Sequence, residues 1–515
     1  MHAPLIVPDG AALAALIADG ATIALAGSGG GLIEPDAVLA ALEQRFLATG
    51  HPRDLTVIHA LGIGDGRGSG LGRLAHEGMV RRVIGGHWSW SPAMQKLARE
   101  EKIAAYSLPA GVISTLLRES GAGRPGLFTR IGLGTFVDPA LDGGRVNASA
   151  REALVERAVI DGRDYLHYKP LKVDVAIIRG SAVDSRGSLT LADEPADLDV
   201  YAVALAARGN GGKVIAQVRT RLAGRITPTR LARIPGVMVD AVFLVPGQQQ
   251  SALGAYDARL CGAVAPFRET GEGAPPPAAP EPEGLRRIIA ARALQEIAGA
   301  RSVNFGFGIP GGIPALARGL GVEIGWCSVE QGTHNGALLD GALFGTARDA
   351  DAVVASPDQF DFYGGGGIDT AVLGLGEMDA DGNVNVSRLG GDIVGPGGFI
   401  DISQSARKVV FCGAFEARGL EVAERDGRIA ILKPGSQPKL VERVRHVTFS
   451  GPQALRNGQE VVYITERAVF RLTAAGVELS EVAPGIDPVR DVLERMAFAP
   501  VPGPSLSARL QSPAA

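Results

Sequence analysis

The stretch Ser328-Val-Glu330-Gln-Gly332-Thr-His334-Asn335-Gly336 holds the clearest chemistry in the chain. A short apolar run ends on a carboxylate, and a glycine-containing loop follows. That order predicts Glu330 at the tip of a strand, where a ligand can reach it. A glutamate has an unperturbed pKa of about 4.3, so at neutral pH it is ionised and can serve as a nucleophile. A solvated or salt-bridged loop glutamate is the plain alternative. Cys327 lies three residues earlier, but no Cys-His pairing is readable around it, and a buried core cysteine fits better.

Glycine-rich segments supply the other chemistry. Gly306-x-Gly308-x-x-Gly311 matches the dinucleotide fingerprint in form, with Glu330 at about the right distance for a ribose-binding acid. Pro310 stiffens that turn and the other half has only a degenerate counterpart, Gly27 to Gly31. A backbone cradle for another anionic or acyl ligand near a helix N-terminus is therefore the better reading. Gly395-Pro-Gly397-Gly398 forms a second loop whose amides are candidate donors to an oxyanion or a pantetheine carbonyl. Pro357 to Gly367, with four consecutive glycines after aromatic residues, reads equally as close backbone packing or as a turn. His87, in Gly85-Gly-His-Trp88-Ser-Trp90, could line a pocket, though packing against the tryptophans is the plainer reading. The eight histidines show no H-E-x-x-H arrangement and the three cysteines lie far apart, so no metal site is expected.

The elements that must position these residues repeat along the chain. Asp174-Val-Ala-Ile-Ile leads to Asp184-Ser-Arg-Gly187, as Asp369-Thr-Ala-Val-Leu leads to Asp379-Ala-Asp-Gly382. Lys213-Val-Ile-Ala likewise matches Lys408-Val-Val-Phe. Asp174 to Asp369 and Lys213 to Lys408 span the same 195 residues. By that offset Glu330 pairs with Thr135, so the first half is expected to lack the acid. Each half also opens alike: a strand at Ala21 to Ala26 or Ser302 to Phe305, a Gly-rich turn, then a helix beginning near Pro35 or Pro314. Strands alternating with helices predict an α/β protein of two similar domains with largely parallel sheets, an internal duplication. The expected boundaries are 1–270, a Pro-rich linker at 271–284, a second domain at 285–500 carrying Glu330, and a flexible tail at 501–515.

Composition narrows the class further. The chain has 515 residues, 46% hydrophobic and 21% charged, which suits large globular domains. A net charge of −4 gives no electrostatic footprint for nucleic acid. Few cysteines fit a reducing compartment, and no apolar stretch is long enough to predict a membrane span. A cytoplasmic location is expected.

Together these strings carry a family likeness. The sequence resembles the family I coenzyme A transferases, especially the propionate or acetate type with both halves fused in one chain. It is more distantly similar to succinyl-CoA:3-oxoacid CoA-transferase. The likeness runs from about Asp19 to Pro500. It includes Val83-Ile-Gly-Gly-His-Trp88, Gly132-Leu-Gly-Thr-Phe-Val-Asp, Gln359-Phe-Asp-Phe-Tyr363 and Lys408-Val-Val-Phe-Cys-Gly413. The resemblance implies a site between two domains, Glu330 as the nucleophile, and coenzyme A near Gly306, Gly308, Pro310, Gly397 and Gly398. It implies coenzyme A and acyl-CoA as substrates with no tightly bound cofactor, carboxylic acids as partners, and a homo-oligomer. Short-chain fatty acid or ketone body metabolism is the implied setting. Two departures bear on the acyl pocket: Pro109-Ala110-Gly111 replaces Pro-Gln-Gly, and Gly332-Thr-His334-Asn335-Gly336 replaces Gly-Pro-Ile-Gly-Gly. An acyl-CoA hydrolase with His334 as base, or a non-catalytic binding paralogue, are the other readings of this scaffold.

Overall fold

A computed structural model describes residues 4–265 and 280–503. Residues 271–279 of the expected linker, and 504–515 of the expected tail, lie outside the described residues. Val501–Pro502, assigned to the tail from sequence, instead pair in parallel with Glu478–Leu479 at the edge of a sheet.

The described residues fall into two compact units. One holds residues up to 265 together with Glu330–Asp361 and Gly391–Asp401; the other holds residues 280–329, 362–390 and 402–503. These groupings cut across the two sequence halves. Backbone bonds explain why Glu330–Asp361 and Gly391–Asp401 go with the first unit. Trp88 N–H donates to Val394 O at 2.8 Å, Gly397 N–H to Gly86 O at 2.8 Å, and Asp349 N–H to Arg259 O at 3.1 Å.

Each unit is built on a parallel sheet. In the first, the strand order is Leu5–Val7, Ala241–Leu244, Lys213–Arg221, Val175–Val183, Thr22–Leu25, Leu55–His59, Val80–Gly85 and Ala104–Ser107. Every neighbouring pair on that path is parallel. The strands read as continuous apolar runs because helices cover both faces, and Val175–Val183 is buried along its whole length. In the second unit the parallel order is Glu460–Ile464, Lys408–Cys412, Thr370–Gly374, Ser302–Phe305 and Trp326–Ser328. Ala468–Thr473 and Gly476–Val482 extend it antiparallel.

The duplication is visible strand by strand, since the five central strands of each sheet occupy the same order. The register corrects one equivalence, however. Ile23 lies beside Val57 and Val175, as Val303 lies beside Cys327 and Thr370. Val175 and Thr370 are partners by the 195-residue offset, so Val57 is the partner of Cys327. Three residues on, the counterpart of Glu330 is Ala60 rather than Thr135. Thr135 lies in a separate turn, its hydroxyl donating to Gly132 O at 2.7 Å.

No helix among the described residues is long and apolar enough to cross a membrane. The core of the first unit is an aliphatic cluster that includes Ile23, Val57, Val83, Val175 and Ile215, all at or near full burial. A buried ion network stiffens the second unit. Arg467 reaches Glu416 at 2.6 Å and Glu466 at 3.0 Å, and each of the three side chains is at most 4% exposed.

Candidate active site

Glu330 lies two residues beyond the strand Trp326–Ser328, the strand-tip position its sequence context predicts. Its carboxylate Oε2 accepts a hydrogen bond from Gly398 N–H at 2.9 Å. A Cβ added at Gly398 would stand 2.0 Å from that oxygen, so a side chain there would displace the carboxylate. Gly397 has φ +51°, a left-handed conformation that glycine adopts without strain. A Cβ at Gly397 would lie 3.8 Å from both Glu330 Oε1 and His87 Cδ2, so the carboxylate and the imidazole flank this glycine together.

The residue is half-buried, yet packing around the carboxylate removes water and pushes its pKa up to about 7, against a smaller opposing effect of the Gly398 bond. The sequence alone implied a fully ionised acid at neutral pH; burial leaves it only partly ionised there. The same desolvation leaves the ionised form poorly hydrated and therefore ready to attack a carbonyl. Burial also lowers the pKa of His87 to about 4, so the neighbouring imidazole is neutral.

The Ala110–Gly121 helix closes one side. Ala110 N–H donates to Gly397 O at 2.8 Å, tying the helix start to the glycine loop. Ala110 and Gly111 are both buried. Phe360 fills the space beneath: a Cβ on Gly398 would lie 3.1 Å from its ring, and one on Gly111 would lie 2.5 Å from it. Gly111 N–H donates to the carboxyl of Asp401 at 3.1 Å. Asp401 is 5% exposed, and desolvation followed by the Glu330 charge among the raising effects lifts its pKa to about 8.

Glu330, Gly397, Gly398, Ala110 and Gly111 thus form one site in the first unit. His334 also belongs to this unit, where its Nε2 meets Gln359 Oε1 at 2.6 Å. Burial lowers the His334 pKa. Asn335, at φ +54°, donates to Asp351 at 2.7 Å on exposed surface. Gly306, Gly308 and Pro310 lie in the second unit, at the carboxyl end of the Ser302–Phe305 strand. Gly308 takes φ +88°, and Pro310 opens the short turn leading into the Ile313–Gly319 helix. Cys327 is buried, with its thiol pushed up to about 12 by desolvation, as an inert core cysteine should be.

Sequence reasoning did not single out Asp401, and it weighed Phe360 only as part of the Pro357–Gly367 string. Asp401 stands three residues after Gly398, in the first turn of the Phe399–Ser405 helix. Its place directly after the glycine loop was the available signal.

Known proteins resemble this one across nearly the whole chain. An acetate CoA-transferase of Escherichia coli K12, YdiF, is 38% identical over 491 residues, 95% of this chain and 91% of its own. A caffeate CoA-transferase of Acetobacterium woodii is 40% identical over 498 residues, 95% of this chain and 93% of its own. This chain belongs to the coenzyme A transferase family. The coenzyme A transferase family profile matches residues 10–244 of this transferase. The crystal structure of acyl-CoA transferase YdiF apoenzyme from Escherichia coli O157:H7 superposes with a TM-score of 0.91 at 37% identity. It covers 98% of this transferase and 94% of its own chain. A thioester complex of that enzyme with CoA matches with a TM-score of 0.90, again at 37% identity and with the same coverage. The protein is accordingly a CoA-transferase, an enzyme that moves coenzyme A.

Proposed function

We propose that the protein exchanges coenzyme A between an acyl-CoA and a free carboxylic acid through a thioester on Glu330. The observation that carries this reading is the Glu330 carboxylate at a strand tip, held by Gly398 N–H at 2.9 Å and partly shielded from water by its surroundings. The ionised carboxylate attacks the thioester carbonyl, forming a mixed anhydride and releasing CoA thiolate. The thiolate attacks the glutamyl carbonyl, expels the first acid as its carboxylate and leaves glutamyl-CoA. An incoming carboxylate attacks that thioester, re-forming an anhydride and the thiolate. The thiolate then takes the new acyl group and returns Glu330 as a carboxylate. Each step exchanges one activated acyl bond for another, so no ATP is consumed.

In this reading Gly397 and Gly398 hold the reacting end of coenzyme A, and Gly306, Gly308 and Pro310 supply backbone contacts in the second unit. The setting we infer is a cytoplasmic homo-oligomer in short-chain acid metabolism; the three free cysteines suit a reducing compartment. The small, fully buried Ala110 favours an acid larger or more polar than acetate. YdiF is named for acetate and the Acetobacterium woodii relative for caffeate, so the family spans both sizes.

Two measurements test this. Incubation with acetyl-CoA and no acceptor should leave CoA on the peptide carrying Glu330. Borohydride should reduce that adduct, and Glu330→Ala should abolish it; a Glu330→Ala enzyme with parental exchange activity overturns the assignment. Ranking kcat/KM over acids from acetate to caffeate tests the pocket. A best rate with acetate or propionate overturns the preference for bulk.

A further inference from the structure

Two carboxyl groups sit along one edge of a buried phenyl ring. The ring of Phe360 runs from Gly398, where its Cε1 would meet an added Cβ at 3.1 Å, to Gly111, where its Cγ and Cδ1 would meet one at 2.5 Å. Glu330 Oε2 lies at the Gly398 end and Asp401 Oδ1 at the Gly111 end, 2.0 Å and 2.6 Å from the same added atoms. Asp401 accepts from Gly111 N–H at 3.1 Å and from the amide of Val112. Ala110 N–H donates to Gly397 O at 2.8 Å. The first turn of the Ala110–Gly121 helix is therefore fastened twice to the 397–401 segment, once by backbone and once by Asp401. That segment in turn bonds Glu330 through Gly398.

We propose that Asp401 is a positioning residue for the transfer reaction, its carboxyl locking the start of the Ala110–Gly121 helix against the loop that aims Glu330. The inference rests on the reading of Glu330 as the nucleophile. A fixed aim matters here because misplacing a reacting group by about 1 Å costs on the order of 10²-fold in rate.

The chemistry of Asp401 adds a second role. The second half-reaction brings an anionic reacting group, the carboxylate acceptor, to the site. Asp401 is bonded by backbone amides, and with its pKa raised to about 8 it remains neutral at pH 7 while still accepting the Gly111 bond. Glu330 is by then a neutral CoA thioester, so a neutral Asp401 leaves the incoming carboxylate facing neither acid as an anion. The groups facing Asp401 are few. Glu330 faces it from the strand-tip loop. Tyr168, a fully buried phenol, senses it from the Arg163–Tyr168 strand. Behind Tyr168 stands Asp138, neutralised by Arg157 at 2.7 Å. On the Ser356–Phe362 helix, Asp358 and Asp361 are paired with Arg118 of the Ala110–Gly121 helix. His87, beside Gly397, is neutral.

The test compares Asp401→Asn and Asp401→Ala with the parent. Acetyl-CoA labelling of Glu330 reports the first half-reaction, and transfer to propionate between pH 6.5 and 9 the second. The asparagine keeps an acceptor for Gly111 N–H without a charge, so at pH 7 it should label within about threefold of the parent. The alanine loses that anchor and should label on the order of 10²-fold more slowly. In the parent, KM for propionate should climb above pH 8 as Asp401 ionises; in Asp401→Asn it should stay level. Equal losses in both variants, or the same alkaline rise in Asp401→Asn as in the parent, overturn the proposal. A parent that never labels at Glu330 defeats the nucleophile reading instead. Thermal unfolding of both variants confirms that the compared proteins are folded.

Discussion

Gly398 and Glu330 are bound so closely that nothing larger than hydrogen fits on the glycine. The amide donates to Oε2 at 2.9 Å, and an added Cβ would lie 2.0 Å from that same oxygen. The clash falls on the end of a flexible side chain, so Gly398→Ala should fold and should push the carboxylate off its donor. Loss of one such donor typically costs about 2.7–4 kcal/mol, or roughly 10²–10³ in kcat. Steady-state exchange rates beside a thermal melt check this; a Gly398→Ala enzyme within tenfold of the parent contradicts it.

Glu330 also sets a pH dependence. In the proposed reaction the carboxylate is the attacking form, and its pKa is raised to about 7. The kcat/KM for acyl-CoA should therefore rise about tenfold per pH unit below 7 and level off above it. An enzyme whose rate is flat from pH 5 to 8 would show that Glu330 ionises in the ordinary carboxylate range.

Stability should follow the same group with the opposite sense. The folded pKa of Glu330 lies above the ordinary glutamate value of about 4.5, so between about 4.5 and 7 the folded state holds more protons than the unfolded chain. Stability from this group falls as pH rises through that window. Glu330→Gln, neutral throughout, should melt close to the parent near pH 4.5 and a few degrees higher at pH 8. The residue keeps some water, which limits the gain. Differential scanning calorimetry at the two pH values reads the gap; a constant gap speaks against a buried, reluctant acid.

Gly111 packs where any side chain would strike both the ring of Phe360, at 2.5 Å, and Asp401 Oδ1, at 2.6 Å. Overpacking of this kind costs typically about 1–3 kcal/mol. Gly111→Ala should lower the melting temperature and slow exchange together. Unchanged stability would mean that the ring and the carboxyl can move apart freely.

Far from the chemistry, Arg467 is 1% exposed and compensates the buried Glu466 and Glu416. Arg467→Met leaves acids without their cation, and breaking a buried pair costs about 3–5 kcal/mol. Chemical denaturation should show an early loss of the second unit. Wild-type stability in that variant would mean that Arg495, which also reaches Glu416 at 2.5 Å, carries the compensation alone.

Much of the scaffold was legible in the sequence because its signals are local. Apolar runs, glycine turns and helix starts at Pro35 and Pro314 mark elements that the structure contains, as the Asp36–Thr49 and Ile313–Gly319 helices attest. The position of Glu330 at a strand tip was equally local. What escaped depends on distance along the chain. The contact between Gly111 and Asp401 joins residues 290 apart, and no spacing rule announces it. The equivalence of Glu330 with Ala60 escaped for a related reason. The connection from Leu25 to Leu55 is longer than that from Phe305 to Trp326, so one constant offset cannot align both strands of each repeat. The raised pKa of Glu330 is a property of surroundings that only the folded chain assembles.

That equivalence gives the duplication an unexpected use. Ala60 is not idle: a Cβ on Gly86 would lie 1.9 Å from its carbonyl oxygen, and Gly86 O receives the amide of Gly397. The strand tip that carries no acid is thus the masonry behind the loop that steadies the one that does. Of the two counterpart strand tips, one carries an acid, Glu330, and the other an alanine, Ala60. Symmetry in the architecture survives as asymmetry in labour, so on the proposed reading of Glu330 each polypeptide should carry a single covalently bound coenzyme A at saturation, as intact-mass spectrometry would count it.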